Sequence, residues 1–316
     1  MIRFVISFFI LTAAFLFTSF SKTDKQADLP NRFLVILGTA QDAGYPQAGC
    51  DKACCRPYWD GTEPAHAVVS FAIVDQQAKQ YWLFEATPDI TAQMHRLQRF
   101  SGKADKTPDA VFITHAHTGH YTGLMQFGRE AMNANRIPVY ALPRMDSFLR
   151  NNGPWSQLVK LENISLRKLD TINNVELAKD LAVKTFTVPH RDEFSETAGF
   201  MIRCSGKKIL FIPDIDKWER WNHDIIPLVQ ESDFALLDAT FYRNGELPGR
   251  NMSEIPHPFV EESMKRFAGL SASDKAKIYF IHFNHTNPLV LKKSAAKDSV
   301  RAAGFGVAEE GQVIRL

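Results

Sequence analysis

A chain of 316 residues is long enough to bury a sizeable core, as one large domain or two small ones. Its 45% hydrophobic and 23% charged residues are a globular composition, which excludes long disorder and fibrous architectures. The balance of 37 Lys and Arg against 35 Asp and Glu gives +2, so a strongly cationic nucleic-acid binder is excluded and no nucleic-acid partner is expected. The 4 cysteines are too few to build a fold of this length from disulfides.

Residues 1–21 have the parts of a secretion signal: Arg3 as the positive end, an apolar stretch from Phe4 to Phe17, and Ser19-Phe20-Ser21 as a small-x-small cleavage site. The stretch falls short of the ~20 apolar residues that span a bilayer. The expected location is therefore exported, with no stable membrane insertion after cleavage; an uncleaved N-terminal anchor is the alternative. Residues 22–31 form a polar spacer, and the fold is expected over 32–316.

No repeat and no low-complexity block interrupts the mature chain. Short β-branched and aromatic runs at Arg32–Leu37, Val68–Val74 and Tyr81–Phe84 predict strands. Pro88–Phe100 has helical spacing through Ile90, Met94 and Leu97. A buried-type strand at Ala110–Thr114 precedes a His-rich loop and a helix predicted over Tyr121–Met132. A strand at Ile137–Ala141 and short helices at Pro143–Arg150 and Pro154–Lys160 follow. Between Ile164 and Ile212 come several strands in hairpin-like succession, among them Ala182–Thr187, Ala198–Cys204 and Lys207–Ile212. A helix near Trp218–Val229, a strand at Phe234–Leu237, a helix near His257–Phe267 and a strand at Ile278–Ile281 complete the order. Hairpins followed by strand–helix alternation, twice over, predict an α/β fold: an αββα sandwich in a single domain. A doubly wound single sheet is the runner-up, but no Gly-x-Gly-x-x-Gly follows the first strand.

The most specific motif is Thr114-His115-Ala116-His117-Thr118-Gly119-His120-Tyr121, in the turn between a buried strand and a helix. Imidazole is a common ligand for zinc, iron and manganese. In an extended loop His115 and His117 project to one side and can chelate one ion, while His120 faces a second.

This segment resembles the metallo-β-lactamase fold superfamily, whose signature after such a strand is His-x-His-x-Asp-His. The resemblance continues in order through Val188-Pro189-His190, Pro213-Asp214 and Ile281-His282-Phe283-Asn284-His285. It implies one metal held by His115, His117 and His190, a second held by His120 and His282, and Asp214 between them. The cofactor so implied is zinc, as one or two ions, with manganese or iron as alternatives. The family's motif Asp is here Gly119, which weakens the second site. Asp192, two residues beyond His190, and Asp42, in the loop after strand one, are the substitutes in view, and Asp42 also reads as a turn cap.

Within the superfamily, Gly38 to Pro46, Phe84 to Ile90, Asp238-Ala239-Thr240-Phe241 and His282 to Pro288 are similar to the coenzyme PQQ synthesis protein B family. The phosphonate-operon phosphodiesterase branch is also similar. Both branches carry cysteines after strand one that bind a structural zinc. Carried over, Cys50, Cys54, Cys55 and His285 form a separate Cys₃His site. A disulfide among the three cysteines is the alternative in an oxidising compartment. Cys204 reads as a buried small hydrophobe. The resemblance puts His257 near the pocket, against a plainer role in packing a helix start, and Asp238 reads as a partner to a ligand histidine.

The function expected from this set is metal-assisted hydrolysis of a small-molecule ester, lactone or phosphodiester. A bound ion brings the pKa of its water toward ~7, making hydroxide available. Asp214 orients that hydroxide, and His257 or a water protonates the leaving group. An iron-dependent oxidoreductase related to PQQ biosynthesis and a non-catalytic metal- or ligand-binding module are the rival readings. The sequence specifies neither the substrate nor the oligomeric state.

Overall fold

The structure is a computed structural model that describes residues 29–316. The expected secretion signal and most of the spacer lie outside the described residues. The first strand, β1 (Arg32–Gly38), begins at the expected boundary.

Two seven-stranded sheets follow each other along the chain. The first takes β1, β2 (Ser70–Asp75), β3 (Gln80–Phe84), β4 (Ala110–Phe112), β5 (Ile137–Ala141) and β6 (Ile164–Lys168). The second takes β7 (Asn174–Ala178), β8 (Leu181–Val188), β9 (Thr197–Cys204), β10 (Lys207–Ile212), β11 (Phe234–Asp238), β12 (Ile278–Ile281) and β13 (Gly306–Val307). The last strand, β14 (Val313–Arg315), returns to pair antiparallel with β1. In each sheet the early strands pair as antiparallel hairpins and the later ones in parallel.

Apolar runs with no polar alternation mark strands covered on both faces, and β1 shows why. Phe33, Val35 and Leu37 pack outward with Ile90, Met94 and Leu97 of the helix Ile90–Ser101, whereas Leu34 and Ile36 face the other sheet. On the far side, Leu210, Ile212, Ala235 and Leu237 pack outward with Ile225, Val229, Val260 and Val300 from three helices. The four layers are those of an αββα sandwich. Aromatic rings fill its middle: Phe71, Phe84, Phe112 and Tyr140 stack side by side at 4.5, 4.9 and 4.7 Å. Phe200 of the opposite sheet meets Phe84 and Phe112 edge-on at 5.7 and 5.8 Å, the geometry that aromatic quadrupoles prefer.

Two predicted helices are interrupted. Over Tyr121–Met132 there is one α-turn, Thr118–Tyr121, then a 3₁₀ segment, Thr122–Phe127. Gly123 accounts for it: its backbone lies so close to Thr87 that an added Cβ would sit 2.1 Å from that carbonyl oxygen. Over Trp218–Val229 a 3₁₀ turn at Trp218–Arg220 is separated from the helix Ile225–Glu231, because the Asp224 carboxylate accepts from the Ile226 amide and starts a new helix.

The topology sends one set of strand ends to the same edge. β1, β3 and β4 run the same way in the first sheet, as do β8, β10, β11 and β12 in the second. The Ala198 amide donates to the Thr114 carbonyl at 3.0 Å, tying the two sheets together at that edge. Because Phe200 interlocks the sheets, Phe200→Ala is expected to destabilise the fold by about 3–5 kcal/mol. Urea unfolding of parent and variant measures it, and a change within about 1 kcal/mol contradicts this account of the core.

Candidate metal centre

Residues just beyond these strand ends carry the polar groups. His115, His117 and His120 follow β4, His190 follows β8, Asp214 follows β10 and His282 follows β12. Donor atoms of His115, His117, His190 and Asp214 lie within 4.8 Å of one another, and those of Asp42, His120 and His282 form a second such group. Asp214 stands between them, with Oδ2 at 3.0 Å from His120 Nε2, 3.3 Å from His282 Nε2 and 3.5 Å from His115 Nε2. Its Oδ1 lies 3.7 Å from His190 Nε2. These contacts lack hydrogen-bond alignment: both Asp214 oxygens and the Nε2 atoms of His115, His120 and His282 are buried without a hydrogen-bond partner. Orphaned buried polar atoms are costly unless something binds them. Imidazole and carboxylate donors aimed at a common space suit a divalent ion such as zinc.

The outer nitrogens explain why the inner ones are bare. Thr114 Oγ1 donates to Glu85 Oε1 at 2.5 Å, so it accepts from His115 Nδ1 at 2.9 Å, leaving a lone pair on Nε2. Thr240 Oγ1 likewise donates to Asp238 Oδ1 at 2.7 Å and accepts from His282 Nδ1 at 2.9 Å. Glu85 Oε1 lies 3.1 Å from His120 Nδ1, Asp216 Oδ1 lies 3.4 Å from His190 Nδ1, and Glu193 Oε2 lies 3.4 Å from His117 Nε2. His117 thus presents Nδ1, which faces His190 Nε2 at 3.3 Å. The hydroxyls at His115 and His282 and the Glu193 carboxylate at His117 fix tautomer and orientation, whereas Glu85 and Asp216 approach the Nδ1 atoms of His120 and His190 without hydrogen-bond alignment.

Burial, reinforced by His120, holds the His115 pKa well below its usual value, and burial also lowers those of His117 and His282. They are neutral, as ligands must be. Burial opposes charge on His120, but Glu85, Asp214 and Asp42 outweigh it and raise its pKa well above normal. Burial would raise Asp214, yet His282, His190 and His120 hold it well below the carboxylate range. Asp42 resists burial in the same way and falls to about 2 through its contact with His120. The centre sets buried carboxylates among imidazoles of which His115, His117 and His282 are held neutral, and a bound cation would offset that negative charge.

His257 precedes its helix, Val260–Arg266, and does more than pack its start. Its Nδ1 lies 2.8 Å from Asp238 Oδ2 and 3.4 Å from Asp214 Oδ1. Burial lowers its pKa, but Asp238 and Asp214 raise it to about 9. Asp238 contacts this histidine directly and reaches the candidate ligand His282 only through Thr240. Asp192 sits on an exposed loop outside both donor groups, its carbonyl accepting from Arg144.

Cys50, Cys54, Cys55 and His285 also converge, with ligand atoms within 4.8 Å of one another. The disulfide alternative is not realised: all three cysteines are free, and Cys50 Sγ lies 3.6 Å from Cys54 Sγ. Zn–S bonds of about 2.3 Å in a tetrahedron put two sulfurs about 3.8 Å apart, so the spacing suits a shared ion. Burial, with Cys50 and Cys54 close by, pushes Cys55 up to about 12. Three thiolates this close need a cation to coexist. His285 Nδ1 is buried without a hydrogen-bond partner. Cys204 is buried in β9, as expected.

Sequence reasoning missed Glu85, Thr114, Thr240, Asp216 and Glu193. Glu85 stood inside a quoted segment, but one buried glutamate at a strand end has no spacing to mark it. Glu85 and His282 both adopt left-handed backbone, at φ 74 and 70. Such conformations cost about 1–3 kcal/mol each and persist where neighbours enforce them. The Glu85 amide donates to Phe112 and the Ala86 amide to His120, each at 2.9 Å, locking this turn onto the motif. Replacing the Glu85 carboxylate, Glu85→Gln, is expected to weaken metal affinity about 10–100-fold. Chelator competition measures this, and parent-like affinity refutes the orienting role.

Comparison with known proteins identifies the family and the fold. The family described as "Beta-lactamase superfamily domain" matches residues 81–283. "Coenzyme PQQ synthesis protein B" of Methylorubrum extorquens (strain PA1) is 25% identical over 309 residues, covering 90% of this chain and 99% of the relative. The protein of that name from Klebsiella pneumoniae is also 25% identical, over 90% of this chain and 98% of its own. Among solved structures, Zn(2+)-bound PqqB from Methylobacterium extorquens superposes with a TM-score of 0.74 at 22% identity, covering 90% of this chain and all of that one. A diphosphatase from the PhnP family does so at 0.64 and 20%, covering 90% and 96%. At these identities the solved structures establish the fold alone. The chain belongs to the beta-lactamase superfamily, and its single domain has the metallo-β-lactamase fold.

Proposed function

We propose that the chain is a metal-dependent hydrolase of a small ester, lactone or phosphodiester. The observation that carries this reading is Asp214, buried between two groups of metal-suited donors and flanked by His257. His115, His117 and His190 would hold one ion, His120 and His282 a second, with Asp214 between. A divalent ion held there would lower the pKa of its water toward ~7 and would polarise a carbonyl or phosphoryl oxygen. The threonine partners of His115 and His282 keep the Nε2 atoms of those two unprotonated. His257, gripped by Asp238, carries a proton on Nδ1 beside Asp214, and its imidazolium form supplies the leaving group's proton as general acid. Substrate enters from the side where His117 and Asp42 retain some exposure, at 13% and 23% of their side chains.

The relatives named for PQQ synthesis favour a second reading, an iron-dependent oxidation, since imidazole and carboxylate also suit iron. Residues 1–21 support export. Among the described residues no helix is long and apolar enough to cross a membrane. Cys50, Cys54, Cys55 and His285 are read as a separate structural zinc site.

Purified protein supplied with zinc, manganese or iron is expected to hydrolyse members of a phosphodiester, ester and lactone panel. Activity on none of them sinks the hydrolase reading, and oxygen uptake on iron loading favours oxidation instead. His257→Asn is expected to keep its metal while kcat falls about 10²–10⁴-fold. Elemental analysis is expected to find less metal in both His115→Ala and Cys50→Ala, with thermal stability lost mainly in Cys50→Ala. Equal stability losses from the two removals contradict the division into working and structural sites. N-terminal sequencing of the protein from its native host is expected to begin at Lys22; a chain retaining residues 1–21 contradicts cleavage.

A further inference from the structure

The motif lacks the carboxylate that its family places before the last histidine, and the structure holds another in the same space. Asp42, in the loop after β1, brings Oδ1 to 3.3 Å from His120 Nε2 and accepts from the Gly119 amide at 3.2 Å. An added Cβ on Gly119 would lie 2.4 Å from Asp42 Cα and 2.4 Å from its Oδ1, closer than real Cβ contacts come. The two positions exclude each other: a side chain at residue 119 and the carboxylate of residue 42 cannot share that volume.

We propose that Asp42 is the anionic ligand of the second metal ion, replacing the motif carboxylate from a different strand end. The assignment rests on the metal-centre reading above. Asp42, His120 and His282 then form the second donor set, with Asp214 shared between the ions. A lone carboxylate in a loop would be a loose ligand, but this loop is fastened at both ends of its turn. The Gln41 amide donates to the Phe283 carbonyl and the Phe283 amide to the Thr39 carbonyl, each at 2.8 Å, tying Asp42 to the residue after His282. Beyond the turn, the Tyr45 hydroxyl donates to the Cys54 carbonyl at 3.0 Å, and the Cys54 site also takes in His285. Gly119 is therefore the counterpart of Asp42, which explains why the motif keeps its histidines without its carboxylate.

The experiment removes the charge of Asp42 and is read by zinc content and chelator competition on the full folded chain. Asp42→Asn keeps the shape and can still accept from Gly119, so folding is preserved while the charge is lost. It is expected to hold one zinc fewer per chain after dialysis, or to bind that ion at least about tenfold more weakly. Gly119→Asp alone is expected to lower stability through its clash. The double variant Asp42→Gly/Gly119→Asp relieves only the contact with Oδ1, because residue 42 keeps its Cα, and is expected to stay short of that ion as well. Parent-like zinc content and affinity in Asp42→Asn overturn the proposal, whatever the double variant does. Should the parent hydrolyse nothing while Asp42→Asn still loses its ion, the hydrolase reading fails and the ligand assignment stands.

Discussion

A buried carboxylate, Asp214, facing five imidazoles is the arrangement on which the rest of this molecule depends. Buried charge is expensive unless it is neutralised, and neutral imidazoles alone do not neutralise it. The cluster therefore needs either protons, as the raised pKa values of His120 and His257 supply, or a divalent cation. Protonating the ligands and binding metal are competing ways to satisfy the same field. That competition links the acid–base behaviour of the centre to its metal chemistry.

The sandwich makes such a cluster affordable by surrounding it with rigid walls. Strands buried on both faces have little freedom to shift, and the stacked rings between the sheets hold the two edges in register. Every candidate ligand sits in the motif or beyond a strand end; threonine hydroxyls bond His115 and His282, and carboxylates lie beside His117, His120 and His190. Left-handed backbone at Glu85 and His282 falls where the chain must turn a side chain inward. Local strain is tolerated there because the sheets leave no alternative path.

The cysteine group and the metal centre share two segments of chain. The loop after β1 carries both Asp42 and the cysteines, and the segment after β12 carries both His282 and His285. A cation clamping the second pair of ends braces the first. This gives a physical reason for the two donor groups to be neighbours: an ion in the cysteine group would stiffen a loop that is otherwise long and irregular.

Strand positions, the four-layer architecture and three candidate ligands, His115, His117 and His120, were legible in the residues themselves. Unbroken apolar runs mark doubly covered strands, and three histidines in eight residues after such a run mark a metal turn. His190, Asp214, His282, His257 and His285 were placed only through resemblance, because a lone histidine or aspartate has no local pattern. The helices over 121–132 and 218–229 were misjudged because a glycine's close approach and a mid-segment cap depend on neighbours distant in sequence. Glu85, Thr240 and Asp216 were illegible for the same reason, and Asp42 could not be told from a turn cap. Sequence patterning determines which segments are strands and which bear imidazoles, since both follow from local side-chain chemistry. Which carboxylate meets which imidazole was decided only when parallel strands brought their ends to one edge, where contact depends on folding and not on position along the chain.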